Sequence, residues 1–296
     1  MKETPYKLER LNQGNIHHVR LLFRIVFNKR LTVEQIKKKY DTEYTGMSAV
    51  GVIAFDENNM AIAFQGYIPC RFHYNGQMEI AVQSCDSLVV KEFRGKKLFN
   101  DIQQFGMEIA YAAGATFVYG FGNQNSTPIV VKQGWTAKDE MSRFLISSGG
   151  IPWAKAVNHL GLKNVYQSYV KFIFRNFKAK YTNQFSEYSS KDELRPVHDK
   201  EYIDYKNWTS AHFIMIGASP IWLKAEGHLH IGTLIVRTED EMLIVVGKLR
   251  TLARKLGLRE VLLQLKVNSR EHQLFSKHFQ GVKTWAVCYK NHNSQF

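Results

Sequence analysis

Cysteine is scarce in this chain: Cys70, Cys85 and Cys288 are its three cysteines, with no short paired spacing. That speaks against a disulfide framework and against a zinc site built on thiolates, and leaves three small buried side chains as the plain reading. No apolar run approaches the roughly 18 residues needed to span a bilayer. The longest, such as residues 48–55, have the length of strands. The opening MKETPYKLERL lacks the apolar core of a secretion signal, so a cytoplasmic location is expected. Acidic side chains are outnumbered, 26 against 40 Lys and Arg, for a net charge of +14. From residue 141 to 186 they are missing altogether. A surface so positive attracts anions: nucleic acid, anionic lipid or a polyphosphate co-substrate.

What is present reads as globular. Hydrophobic residues make up 45% of 296 positions, enough for one large domain or two ordinary ones. Apolar spacing predicts a helix over 16–27, and Thr32-Val33-Glu34-Gln35 is a capping box that starts another. Strands are expected over 48–55, 60–74 and 77–90. Asn75-Gly76 makes the hairpin turn between the last two, since both residues accept positive φ. The imperfect alternation of 77–90 suits a central strand covered on both faces. A helix over 98–113, closed by Gly114, leads to a strand at 115–122, a short helix opened by Pro128, and a strand from Gly134-Trp135 to about 146. Ser147-Ser148-Gly149-Gly150 reads as a linker. The acid-free segment that follows carries Lys155, Lys163, Lys171 and Arg175 among Trp153, Tyr166, Tyr169, Phe172 and Phe174.

The second half predicts strands at 211–216 and 228–237, a helix over 239–256 closed by Gly257, a strand at 260–267, a short helix over 269–279 and a last strand at 284–289. Gly114 and Gly257 lie 143 residues apart, as do Asn125 and Asn268, each followed by serine. Equal order at constant offset predicts two copies of one fold. The alternative is a C-terminal α+β domain of independent origin. The expected domains are 1–148, a basic aromatic bridging segment at 149–193, and 194–296.

The chemistry concentrates in 84–99, SCDSLVVKEFRGKKLF: a strand, a basic loop with one glycine, then a helix. N–H groups at a helix start are unpaired and its dipole end is positive, so such a loop suits phosphate. It reads equally as a solvated turn. In this order of elements it resembles the pyrophosphate-binding motif of the GNAT acetyltransferases, whose loop reads Arg/Gln-x-x-Gly-x-Gly/Ala after a valine-rich strand. FQGYIPCRFHYNGQ, QSCDSLVVKEFRGKKLF, VYGFGNQNS and KQGW, between residues 64 and 135, are similar to a bacterial GNAT subgroup associated with surface-polysaccharide gene clusters. Here Lys97 stands at the family's first loop glycine and Phe99 at its final small residue.

The resemblance implies an α/β (α+β) GNAT fold, a mixed, mostly antiparallel sheet flanked by helices, with a second, degenerate GNAT-like domain. It implies acetyl-CoA or another acyl-CoA as co-substrate, held by Leu88, Val89, Val90, Arg94, Gly95, Lys96, Lys97, Leu98, Phe99 and Asn125, and no metal. Backbone N–H groups of Leu88, Val89 and Val90 would hold the pantetheine and the thioester carbonyl. The family's acid, a tyrosine four residues before the glycine of the final Gly-aromatic pair, is replaced by Val130. For the base, Asp86 shares a strand face with Leu88, and Glu79 lies on the same strand. Asp86 also reads as a structural acid bonded to the adjacent loop, and Glu79 as an exposed strand charge. Tyr119, Asn123 and Gln124 would meet the acceptor, or the amides would satisfy their own turn. In the second half, VRTEDEML (236–243) has three acids and no glycine where a phosphate loop should lie, so that half reads as non-catalytic.

The implied reaction is acyl transfer to a primary amine, possibly an amino sugar in surface-polysaccharide synthesis, with no specific nucleic acid and a peripheral membrane contact through 141–186. Two alternatives stay open. One is a tandem GNAT-like aminoacyl transferase using charged tRNA, favoured by the net charge. The other is a non-catalytic CoA-, nucleic-acid- or membrane-binding protein.

Overall fold

A computed structural model describes residues 6–74, 77–95, 97–175 and 195–291. The expected turn Asn75-Gly76, Lys96 and residues 176–194 lie outside the described residues. Helices α1 (Ile16–Phe27) and α2 (Val33–Tyr40) stand where the sequence predicts them. The capping box forms as read: the Thr32 hydroxyl accepts from the Gln35 N–H, and the Gln35 side chain accepts from the Thr32 N–H. Two orphan donors are thereby satisfied at the start of α2.

The chain packs as two units. One holds residues 1–138, 189–208 and 287–296; the other holds 139–188 and 209–286. Neither unit is one continuous stretch of the sequence, and strands β6 (Thr136–Ser147) and β12 (Gly281–Asn291) each carry residues of both.

In the first unit the sheet runs β1 (Lys7–Arg10), β2 (Gly51–Phe55), β3 (Ala61–Tyr74), β4 (Gln77–Val89), β5 (Phe117–Gly122), with residues of β12 next to β5. Neighbours are antiparallel up to β4, and β4 and β5 run parallel. A parallel pair needs a crossover, which α3 (Leu98–Ala112) supplies. Helices cover both faces of this sheet. Ile53 and Phe55 of β2 pack with Val19, Phe23 and Ile36 of α1 and α2, whereas Val52 and Ala54 pack with Leu98 and Ile102 of α3. That double burial explains the weak alternation of the central strands. A two-residue strand β7 (Arg195–Pro196) pairs with β3, and α7 (Lys200–Lys206) follows it. Arg71 of β3 pairs there with Asp199 and Glu201.

The second unit has α5 (Trp153–His159) and α6 (Lys163–Arg175). Its sheet runs β8 (His212–Ile216), β9 (Ser219–Glu226), β10 (His228–Leu234), β11 (Glu260–Lys266), β6. Here too the neighbours are antiparallel except one parallel pair, β10 with β11, joined through helix α8 (Glu239–Lys255). A short helix α9 (Arg270–Ser276) follows β11, as α4 (Thr127–Lys132) follows β5. Phe117 and Glu260, which open the matching strands, lie 143 residues apart, as do Thr127 and Arg270, which open the matching helices. Tyr166, Val170 and Phe174 of α6 close the core over Leu249, Leu252 and Leu263.

Candidate active site

Strands β4 and β5 pair only from Ala81 with Phe117 to Ser84 with Gly120. Beyond that point β4 keeps to β3 as far as Val89, while β5 runs on to Gly122. The two parallel strands therefore part. A bulge shapes β4 there: between the pairs Gly66 with Cys85 and Phe64 with Leu88, Asp86 and Ser87 together face the single residue Gln65. Asp86 takes φ +49°, a left-handed backbone that costs a non-glycine residue energy. Gln65 is fully buried and occupies the bulge. Its Nε2 lies 2.9 Å from Gly66 O, 3.1 Å from Ser84 Oγ and 3.1 Å from Cys85 O, and its Oε1 accepts from the Ser87 hydroxyl at 2.5 Å. Leaving such a buried group unpaired costs about 1–3 kcal/mol, so these bonds hold the bulge in one shape.

The bulge turns the Asp86 carboxylate onto α2. Oδ2 accepts from the Lys39 ammonium and, at 2.7 Å, from the Tyr40 hydroxyl. Gly66 makes the approach possible, since a Cβ at that position would run into the Tyr40 hydroxyl. Burial, and then the neighbouring Cys85 and Asp86, push the Tyr40 phenol well above its ordinary value. Burial pulls Lys39 down, but Cys85 and Asp86 outweigh it and the ammonium ends above the ordinary lysine value. Burial, then Asp86, push the Cys85 thiol up to about 12. At neutral pH this cluster therefore holds a charged lysine, a neutral phenol and a protonated thiol.

The parting of the strands opens a cavity of about 910 Å³. It collects Asp86, Val89, Arg94, Gly95, Phe99, Asn123 and Asn125 of the sequence-predicted residues, together with Ser84, Cys85, Ser87, Gly120, Phe121, Gly122 and Val130. The other predicted residues that the structure describes do not line it. Leu88 and Leu98 are core side chains, 0% and 1% exposed. The Val90 N–H donates to Ile62 O at 3.0 Å, and alternation along an antiparallel strand turns the Val89 N–H the other way, toward β5. Glu79, at the hairpin end of β4, accepts from the Thr116 hydroxyl at 2.5 Å. Tyr119 packs among the rings of Phe72, Phe117 and Phe121. Gln124 is exposed, and the Lys97 ammonium lies 3.5 Å from Asp101. Asn123 satisfies its own turn, its Oδ1 accepting from the N–H of Asn125 at 2.9 Å and of Ser126 at 3.0 Å.

At the rim, α3 opens at Lys97 without a side-chain cap; the Asn100 N–H turns back to Lys97 O at 2.9 Å, while the N–H groups of Leu98 and Phe99 come too early in the helix for an acceptor within it. The preceding loop brings Arg94, whose Nε donates to Val89 O at 3.0 Å, and Gly95, which takes φ +74° with nothing within 4 Å of where a Cβ would stand. This is open backbone beside an arginine at a positive helix end, a fit for phosphate. The matching helix start in the second unit is closed. Thr238 Oγ1 accepts the Glu241 N–H at 3.2 Å, and the Glu241 carboxylate accepts from the Arg237 N–H at 2.7 Å and the Ser219 hydroxyl at 2.6 Å. A carboxylate sits where an anion would bind.

Sequence reasoning missed Gln65, Lys39, Tyr40, Gln103 and Trp135. Tyr40 lies 46 residues before the carboxylate it touches, and no spacing rule links the two. Trp135 stood in the marked Gly-aromatic pair, yet only the fold places it against the cavity. Gln103 Oε1 and Trp135 Nε1 are buried without a hydrogen-bond partner among the described residues.

No family model matches the chain, and no curated protein matches it. Solved structures do. A probable N-acyltransferase of unknown function from Enterococcus faecalis superposes with TM-score 0.62 at 11% identity, over 97% of this chain and 73% of that one. N-myristoyltransferase from Saccharomyces cerevisiae, with bound myristoyl-CoA and inhibitors, gives 0.63 at 10% identity, over 98% and 82%. A GCN5-related N-acetyltransferase from Sphaerobacter thermophilus gives 0.54 at 12% identity, over 98% and 97%. The fold is that of the GCN5-related N-acetyltransferases, the GNAT fold expected from the sequence.

Proposed function

We propose that the chain is an N-acyltransferase that moves an acyl group from an acyl-CoA thioester to a primary amine. One observation carries the reading: β4 and β5 part beside an uncapped helix start, so an anion-binding end and a reaction gap open into one cavity of about 910 Å³. The residues present fit the co-substrate. Arg94, Gly95 and the first turn of α3 would hold its pyrophosphate, and the Val89 N–H faces the gap where a carbonyl oxygen would lie. The thioester supplies the activated acyl group. The chain supplies orientation, a donor to the developing oxyanion, and a base.

Asp86 is the base in this reading. The contacts from Lys39, Tyr40 and the Cys85 thiol all fall on Oδ2, which leaves Oδ1 for the proton of the attacking amine. As the amine nitrogen bonds to the carbonyl carbon, the carbon–sulfur bond breaks. With Val130 on the cavity wall in place of an acid, the leaving thiolate takes its proton from water. The acceptor would be an amino sugar, met by the exposed amides of Asn123, Gln124 and Asn125. The second unit, closed at its helix start, is read as a non-catalytic copy of the fold, and the whole is placed in the cytoplasm.

Release of free thiol from acetyl-CoA, followed with a thiol reagent across a panel of amino sugars and simple amines, tests the proposal. Amine-dependent release supports it. Stabilisation by charged tRNA, with no release and no stabilisation by any acyl-CoA, would instead favour the aminoacyl-transferase alternative that the net charge of +14 suggests.

A further inference from the structure

The cavity has two sides, set by the two faces of its sheet. Arg94 and Gly95 stand in the loop that leads into α3, whose Leu98 and Ile102 pack on one face. Helices α1 and α2 pack on the other. Residues 117, 119 and 121 of β5 share this second face by strand alternation. Phe117 and Tyr119 pack there with Phe23 and Tyr40, and the Phe121 ring stands 6.1 Å from that of Tyr119. Phe121 follows Gly120, the last residue of β5 paired with β4, so it faces Cys85 and the bulged Asp86 across the opening gap. The Asp86 carboxylate turns to the same face, where it meets Lys39 and Tyr40 of α2. From α1, the Phe27 ring lies 6.2 Å from that of Phe23, over which the Lys39 ammonium stands at 5.8 Å. Phe27 and Phe121 both line the cavity and are 46% and 41% exposed, so both rings present surface beside the carboxylate. Apolar surface of this kind is stabilised when an apolar group covers it. A hydroxyl set against a phenyl face would give up its water for no hydrogen bond.

We infer that the acceptor carries, beside its primary amine, an apolar group that lies against Phe121 and Phe27. This rests on the acyl-transfer reading and names the acceptor class within it: an amphiphilic amine, which for an amino sugar means one with an apolar aglycone. The thioester reaches the gap from the face of α3, where Arg94 and Gly95 stand, and the amine meets Asp86 from the face of α1 and α2. The two rings lie on the amine's side.

The test follows thiol release from acetyl-CoA by the 296-residue chain, with the methyl and phenyl glycosides of glucosamine as acceptors, each as both anomers. For one anomer the phenyl glycoside should show a KM roughly tenfold or more below that of the methyl glycoside, the scale of covering one phenyl ring. In Phe121→Ala and in Phe27→Ala, each checked for a cooperative melt, that ratio should fall toward one while the Kd of acetyl-CoA stays unchanged. Since the ratio is internal to each protein, a loss of overall stability does not mimic the effect. Phenethylamine acting as well as the phenyl glycoside would support the inference and set the amino sugar aside. Equal KM values for the two glycosides in both anomers, or a ratio that both alanine variants leave intact, would overturn the inference while the acyl-transfer reading stands. So would octanoyl-CoA binding tighter than acetyl-CoA by a margin that the same variants abolish, because the rings would then serve the acyl chain. If no amine releases thiol, the acyl-transfer reading falls and this inference falls with it.

Discussion

Asp86 joins two demands in one side chain. Its left-handed backbone is held by the Gln65 bonds across the bulge, and its Oδ2 anchors Lys39 and Tyr40. Replacing it by asparagine leaves a largely buried ammonium unpaired, and breaking such a pair costs roughly 3–5 kcal/mol. Asp86→Asn is therefore expected to melt lower. If Oδ1 is also the base, turnover per folded molecule falls roughly 100-fold as well, measured below the variant's own melting transition. An unchanged rate in the folded fraction would reduce Asp86 to a structural anchor. The neighbouring Cys85 gives a second residue-scale expectation. Its thiol is raised to about 12, so the folded state favours the neutral form. That contribution to stability is intact below the unfolded thiol value, about 8.5, and is lost as pH rises through it toward 12. At pH 8 Cys85 should resist iodoacetamide, the thiolate being the nucleophile; rapid alkylation seen by mass spectrometry would contradict the assignment. None of this cluster was legible beforehand except Asp86 itself, since a bulge is a relation between two strands and Gln65 makes it from the other one.

At the level of elements, α3 and α8 each join a parallel strand pair but have opposite starts. The open start at Lys97 and the closed start at Thr238 were both foreshadowed by local composition: a glycine with basic residues in one, three acids in the other. Helices α1 and α2 were legible for the same reason, their caps and spacing being local. Strand β1 was not, because KLER carries one apolar residue in four and is a strand only through its pairing with β2. Lys97→Gly should leave acetyl-CoA affinity within about threefold, because the Lys97 side chain is 79% exposed and engaged with Asp101. A larger loss on titration would make that lysine a phosphate ligand. Helix α6 has a face of its own. Val165 and Phe172, seven residues apart on one face, are 62% and 61% exposed and are flanked to one side by the exposed Lys171 and Arg175, a pattern suited to an anionic lipid surface. Vesicles containing phosphatidylserine should sediment the protein at low salt and release it at high salt. Phe172→Glu should abolish this; sedimentation unaffected by that change would exclude α6 as the contact.

At the scale of the whole molecule, each unit contains one parallel strand pair joined through one helix. The constant offset of 143 residues was legible in the sequence. The spatial partition was not, because β6 and β12 carry residues of both units and no local signal marks where a strand passes from one core to the next. On the proposed reading the acyl-CoA site lies in the first unit alone, and calorimetric titration of acetyl-CoA into the 296-residue chain probes this. One site per chain is expected, lost in Arg94→Glu and retained in Arg237→Glu. Two sites, or a single site untouched by Arg94→Glu, would contradict it.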